Sequence, residues 1–275
     1  MLSIAKYPRW RASDSFEGLR PQMFRYAQQD TFILEFSIVK GYILQGIKRL
    51  FAPQPIEIFT RQNARREGGS SKTLVLFDFD GTLTTDDSFI RFLWFTLGFT
   101  GLLKATLALF WRFIRLFISG NFSAGAAKAA VLASCFAGKS RAKMETLGVE
   151  FCRSELPRFL RPEVLEWLKV YKTEGAQVAL VSASPDIWLR PFCEGEALTM
   201  ICTELAYSNG IFTGDLAAPN CKGEEKARRI RAAFELNDFE RIIAFGNSSG
   251  DYAMFSIAHE AWLCDRHGKF QRFHP

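Results

Sequence analysis

The sequence predicts an α/β fold: a doubly wound, Rossmann-like parallel sheet that carries an inserted all-helical cap. Three observations predict it. From Lys72 onward, short and nearly wholly apolar runs alternate with amphipathic helical stretches. The apolar runs end in polar residues, where open α/β sheets place their ligands. Residues 85–176, between the first run and the second, read as several helices, far more chain than an α/β connection needs.

Residues 1–71 differ from the rest. A polar, Arg-containing start leads into FILEFSIVKGYILQGIKRLF (32–51), interrupted by Glu35, Lys40 and Lys48 and so a poor membrane span. It suits an amphipathic helix on the domain or on a membrane surface, or an extension upstream of the true start. The opening MLSIAKYPRWRASD lacks the apolar centre of a signal peptide, and RQNARREGGSSK (61–72) reads as a linker.

TLVLFD (73–78) is expected as a central strand covered on both faces. QVALVSA (177–183), LTMICTE (198–204), RIIAFGN (241–247) and AWLCD (261–265) follow in the same style. Helices are expected in RPEVLEWLKVYKTEG, PDIWLRPFCEG and KGEEKARRIRAAFEL, and YSNGIFTGDL is expected to form a small hairpin. The core thus comprises 72–84 and 177–275, with the cap at 85–176.

Composition sets the outer bounds. The chain has 275 residues, of which 48% are hydrophobic and 23% charged, enough to bury a sizeable core. A net charge of +6 favours anionic partners, but no nucleic-acid-reading motif accompanies it. Six scattered cysteines with no C-x-x-C pair suggest a reduced, intracellular chain. The three histidines all follow the last motif, which removes a His-centred triad or zinc site from consideration.

The chemistry concentrates at strand ends. Asp78 and Asp80 close the first strand, and successive side chains on a strand point to opposite faces. The chain must therefore leave strand geometry at Asp80, which Gly81-Thr82 permits. Asp78 can then serve as nucleophile or metal ligand and Asp80 as general acid, then base. Ser182 ends the second strand, Lys226 lies in a helix after the hairpin, and Asn247 and Asp251 share a glycine-bearing loop after another strand. Each has a plainer reading: a turn at D-x-D-G, a helix cap at Ser182 or Asp251, a solvated Lys226. Four strand-end polar groups in this order weigh against those readings taken together.

DFDGTLT, VSAS, the Lys-containing helix and GNSSGD, in that order, resemble the haloacid dehalogenase-like phosphohydrolases over residues 72–266. The cap's position resembles the phosphoserine-phosphatase-like subfamily IB, whose helical cap is of the C1 kind. The resemblance implies that Asp78 attacks phosphorus and forms an aspartyl-phosphate, and that Asp80 protonates the leaving group and later activates water. It implies that Ser182 and Lys226, or less favourably Lys222, hold the phosphoryl oxygens. Mg²⁺ would be held by Asp78, the Asp80 backbone carbonyl and the loop carrying Asn247 and Asp251. Asn247 stands where relatives usually have aspartate, so weaker metal binding is expected. Asp87, a glutamate in phosphoserine phosphatases, would meet the substrate.

Residues 92–118 combine an apolar body with Lys104, Arg112 and Arg115 on one side of an expected helix, which suits either an anionic membrane surface or a core helix with snorkelling cations. Together these readings favour a Mg²⁺-dependent phosphomonoesterase acting on a lipid or other amphiphilic phosphate of the phosphatidylglycerophosphate kind. A small-metabolite phosphatase of the phosphoserine type is the alternative enzyme. A membrane-associated, non-catalytic binding protein on a degenerate scaffold is the alternative of another class. The expected location is cytoplasmic, peripheral on the inner face of the membrane if 92–118 meets lipid.

Overall fold

The computed structural model describes residues 72–118 and 124–274, with side chains left undescribed for 106–108, 110–118 and 124. The expectations for residues 1–71, and for the Arg112 and Arg115 side chains, lie outside the described residues.

Strand β1 (Thr73–Phe77) is the pivot of the fold. All five of its residues are buried, and they alternate between two cores: Val75 and Phe77 enter one, Leu74 and Leu76 the other. A strand covered on both faces leaves little place for polar side chains, and Leu74 to Phe77 carry none, with the buried Thr73 at the strand's start. Six strands order as β3-β2-β1-β6-β7-β8, where β2 is Gln177–Pro185, β3 Thr199–Thr203, β6 Arg241–Gly246, β7 Glu260–Cys264 and β8 Phe270–Phe273. The first five are parallel and β8 pairs antiparallel with β7. Phe77 lies level with Leu180 of β2 and Phe245 of β6, and the Phe77 and Phe245 rings stack at 4.6 Å. The chain winds outward from β1 through β2 to β3, then returns to β6 on the other side. The crevice between the ends of β1 and β6 is therefore a topological switch point.

Four helices separate β1 from β2: α1 (Ser88–Ile118), α2 (Ala124–Phe136), α3 (Arg141–Ser154) and α4 (Pro162–Thr173). Helix α4 lies on the sheet, with Trp167 6.1 Å from Phe245 and 5.0 Å from Phe270 between ring centroids. Helices α1 to α3 build an aromatic knot with Trp188 of α5 (Asp186–Glu196). Phe92 stacks on Trp188 at 4.6 Å and meets Phe151 edge-on at 5.4 Å and Phe136 at 5.7 Å. Each such pair adds about 0.5–1.5 kcal/mol beyond its buried area. The knot makes the inserted helices continuous with the core cluster. Helix α3 approaches closest at Gly148, where an added Cβ would fall 2.1 Å from the Ile187 carbonyl oxygen.

Two features modify the sequence reading. Helix α1 breaks at Gly98 (φ 59°, ψ −175°), so residues before and after it do not share one helical register. The expected hairpin forms as β4 (Leu205–Ser208) and β5 (Ile211–Leu216), with Asn209 and Gly210 both at positive φ as a type I′ turn requires. Its far side clasps α2: an added Cβ on Gly214 would lie 3.1 Å from Ala133 Cβ, and Phe212 exchanges backbone bonds with Gly138 and Lys139.

Candidate active site

Asp78 is still tied to the sheet, its N–H donating to Phe245 O at 2.8 Å. The chain then leaves strand geometry through a tight turn over Phe79–Leu83, with Gly81 at φ 79°. Only glycine fits there for a second reason: an added Cβ would sit 1.9 Å from Asn247 Nδ2. The D-x-D-G sequence is thus the contact point between the β1 and β6 loops.

Lys226, from helix α6 (Glu224–Ala233), crosses the switch point. Its Nζ donates to Asp78 Oδ1 and to Asp251 Oδ1, each at 2.6 Å, and its side chain is 2% exposed. Asp251 Oδ2 accepts from Asn247 N, Ser248 N and Ser248 Oγ. Asp251 therefore organises the loop and anchors the ammonium, and both of its carboxylate oxygens are engaged. Thr82 Oγ1 donates to Asp78 Oδ2 at 3.1 Å. Burial first, then the Asp251 charge, pushes the Asp78 carboxyl up to about 7 against the opposing pull of Lys226. Burial alone would lower Lys226, but the two carboxylates outweigh it and hold the ammonium above the ordinary lysine range. Lys226 stays charged, and Asp78 takes up a proton as pH falls.

Asp80 is held by a second network. Ser88 N donates to its Oδ1 at 2.7 Å and Ser184 Oγ to its Oδ2 at 2.5 Å. Trp188 Nε1 donates to Ser88 Oγ, and Ser88 Oγ donates to Ser184 Oγ, so the donors line up toward the carboxylate. Burial, then the Asp87 charge, nevertheless raises the Asp80 pKa above the ordinary carboxylate range. Ser182 is fully buried, and its Oγ accepts from Ser184 N at 3.0 Å. Asp87 Oδ1 accepts from Phe89 N and Ile90 N and so caps α1.

The structure thus joins Asp78, Lys226, Asp251 and the Asn247 backbone by direct bonds, and Asp80 to Ser182 through Ser184. Lys222, the substitute for Lys226, instead packs its stem near Gly250, where an added Cβ would meet Lys222 Cε at 2.9 Å. Sequence reasoning missed Thr82, Ser88 and Ser184, and above all Lys128 of α2. The Lys128 Nζ donates to Ala183 O at 3.0 Å, in the segment between Ser182 and Ser184. Its signal was available: Lys128 is the single charge in AGAAKAAVLASCF.

Among the described residues no cluster of three or more Asp, Glu, His or Cys side chains could hold a metal. The available donors at the switch point are oxygens: the Asp78 carboxylate, the Asp80 main-chain carbonyl and the Asn247 amide. Mg²⁺ commonly takes one or two carboxylates and completes its shell with water and phosphate oxygens, so this donor set fits it.

Comparison with known proteins agrees with this architecture. The family model described as haloacid dehalogenase-like hydrolase matches residues 75–256. Protein CicA of Caulobacter vibrioides is 36% identical over 199 residues, covering 70% of this chain and 86% of that protein. Among solved structures, a Bordetella pertussis Tohama I protein of unknown function superposes with TM-score 0.58 at 20% identity, covering 70% of this chain and 89% of that one. A phosphoserine phosphatase bearing a phospho-aspartyl intermediate analogue gives TM-score 0.50 at 19% identity, covering 70% and 86% of the two chains.

Proposed function

The chain belongs to the haloacid dehalogenase-like hydrolases, and from that premise we propose that it hydrolyses phosphomonoesters through an aspartyl-phosphate on Asp78. The observation that carries this reading is the pair of 2.6 Å bonds from Lys226 to Asp78 and Asp251 at the switch point. A phosphate dianion approaches a cluster of carboxylates only where fixed positive charge offsets theirs.

In the proposed reaction, an Asp78 carboxylate oxygen attacks phosphorus while the bond to the leaving oxygen breaks. Asp80 gives its proton to that departing oxygen. Its raised pKa suits this role, because an acid that holds its proton nearer neutral pH is available at the working pH. Asp80, now a carboxylate, then takes a proton from a water that attacks the same phosphorus, releasing phosphate and restoring Asp78. Lys226 and the Ser182 hydroxyl steady the phosphoryl oxygens. Mg²⁺ would be held by Asp78, the Asp80 carbonyl and Asn247, with Asp251 fixing the loop, and would supply positive charge to the phosphoryl oxygens. The Asp87 oxygen not named in the helix cap is assigned to substrate contact. The cap is assigned to residues 85–176, with helices α1 to α3 as its body and its last helix, α4, lying on the sheet. Hydrolysis of p-nitrophenyl phosphate with Mg²⁺ by wild type, and its loss in Asp78→Asn, test the reading; unchanged turnover in that variant overturns it.

A second reading concerns the leaving group. Ile90, Trp94, Phe99 and Leu103 of α1 are each half or more exposed. That apolar surface favours an amphiphilic phosphate received at a membrane surface. Among the described residues no helix is long and apolar enough to cross a membrane. Sedimentation with anionic liposomes checks this reading, and full recovery of protein in the supernatant at low salt removes it.

A further inference from the structure

Ser88, Ser182 and Ser184 are all fully buried, where alanine would fill nearly the same space. A buried hydroxyl costs stability unless it is bonded, so each calls for a partner. Ser182 serves the phosphoryl group in the reading above, and Ser184 does not share that task. The ladder of β2 shifts register between Val181 and Pro185, and in that stretch Ser184 N donates to Ser182 Oγ while the Ser184 hydroxyl turns to Asp80.

Ser184 has a single hydroxyl proton, and the 2.5 Å contact with Asp80 Oδ2 commits it to the carboxylate. Ser88 Oγ donates to Ser184 Oγ at 3.4 Å and accepts from Trp188 Nε1 at 2.9 Å. An indole N–H only donates, so the chain runs one way, from Trp188 through Ser88 and Ser184 to Asp80. Trp188 is held in turn by stacking at 4.6 Å on Phe92, which follows Ser88 by one helical turn. The other oxygen, Asp80 Oδ1, accepts from Ser88 N at 2.7 Å. One bond alone leaves a carboxyl free to turn about it; a second donor on the other oxygen fixes its plane. Each oxygen still keeps an acceptor site on which the transferred proton can sit.

We propose that Ser184 is a positioning residue for the leaving group's proton: backed by Ser88 and Trp188, it holds the Asp80 carboxyl where that proton reaches the departing oxygen. This rests on the phosphomonoesterase reading, in which Asp80 is the acid. In this role Ser184 acts through Asp80 and not on the substrate. Its effect therefore grows with the need of the departing oxygen for a proton, whereas a hydroxyl that only supports the fold would weaken every substrate alike.

Substituted phenyl phosphates, from phenyl to p-nitrophenyl, test this, because their leaving oxygens differ in the need for a proton while the ring stays nearly the same. kcat/KM with Mg²⁺ is plotted against leaving-group acidity for wild type, Ser184→Ala and Ser88→Ala. That ratio reports on the step that releases the phenol and not on the later attack by water. Ser184→Ala should lose at least about tenfold on phenyl phosphate and no more than about threefold on p-nitrophenyl phosphate, a part of the roughly hundredfold to ten-thousandfold that a placed acid supplies. Ser88→Ala should tilt the line in the same sense by at least about threefold, since Ser184 keeps its bond to Asp80 and loses only the chain behind it. Competitive inhibition by inorganic phosphate should stay within about threefold of wild type in both variants, which shows that they are folded with the phosphoryl site intact. The proposal is overturned if Ser184→Ala keeps the wild-type dependence on leaving group or weakens all the phosphates alike. Should Ser184→Ala fail to fold, the same two results in Ser88→Ala overturn it. No turnover of the whole series by wild type would instead overturn the hydrolase reading on which this one stands.

Discussion

Replacing Lys226 with methionine keeps the buried stem and deletes the charge. The deletion strands two carboxylates, because the lysine bonds Asp78 and Asp251 at 2.6 Å each and is 2% exposed. Breaking a buried ion pair by removing one partner costs about 3–5 kcal/mol, and that loss is expected at pH 8. A proton can replace the ammonium on Asp78. Protonation costs about 1.36 kcal/mol for each pH unit above the unfolded value of about 3.9. At pH 5.5 that residue can therefore contribute no more than about 2 kcal/mol. The sign follows from proton counting: with its pKa raised in the folded state, Asp78 binds more protons folded than unfolded. The variant's stability then falls as pH rises above about 4. Wild type shares that fall up to about pH 7, where its own Asp78 ionises, so the variant's deficit is level below about pH 7 and grows from there toward pH 8. Urea unfolding of wild type and Lys226→Met at both pH values measures this from the midpoints and slopes. A deficit below about 1 kcal/mol at pH 8, or one independent of pH, would refute the buried triad.

Three other outcomes are expected. Asn247→Asp should tighten Mg²⁺ binding by about tenfold, on the order of 1–2 kcal/mol for a charged in place of a neutral partner, read from the Mg²⁺ concentration that half-maximally raises the melting temperature; no tightening would remove residue 247 from the metal site. Asp80→Asn should abolish turnover yet stabilise the fold at pH 7.5 by about 0.5–2 kcal/mol, because the raised Asp80 pKa means that its ionised form opposes folding. That gain should vanish below about pH 4, where the unfolded carboxyl is also protonated, and a pH-independent effect on thermal unfolding would contradict it. Gly148→Ala should destabilise by about 1–3 kcal/mol despite alanine's better helix propensity, since its Cβ would lie 2.1 Å from the Ile187 carbonyl; unchanged stability would place α3 farther from α5.

Much of the core was legible because its signals are local. A short, nearly wholly apolar run such as TLVLF, rich in strand-forming residues and closed by D-x-D-G, suits a strand buried on both faces, and Asn209-Gly210 announces its own turn. The strand-end residues Asp78, Asp80, Ser182 and Asp251 could be grouped because parallel topology brings those ends together whatever the loops do, and Lys226, on helix α6, joined them through the order of the motifs. What escaped reading depends on packing between distant segments. Strand β8 is four residues long and holds its place by pairing with β7, as in Trp262 opposite Arg272. Ser88 and Ser184 are 96 residues apart and become partners only when α1 docks on β2. Lys128 is a solitary charge on an apolar helix, and its direction is fixed by glycine contacts at Gly125 and Gly214 that no periodicity encodes. The break at Gly98 falls ahead of the expected basic stripe and leaves Lys104, Arg112 and Arg115 in one helical segment.

The covalent step is the centre of the account, and trapping it is the most direct measurement. Wild type mixed with a turned-over phosphomonoester and Mg²⁺, quenched in acid within the first turnover and treated with borohydride, should carry homoserine in place of Asp78, found by peptide mass spectrometry. The modification should depend on substrate and be missing from unmixed enzyme. Steady hydrolysis with residue 78 unmodified at every quench time, or modification of a different carboxylate, would contradict the account.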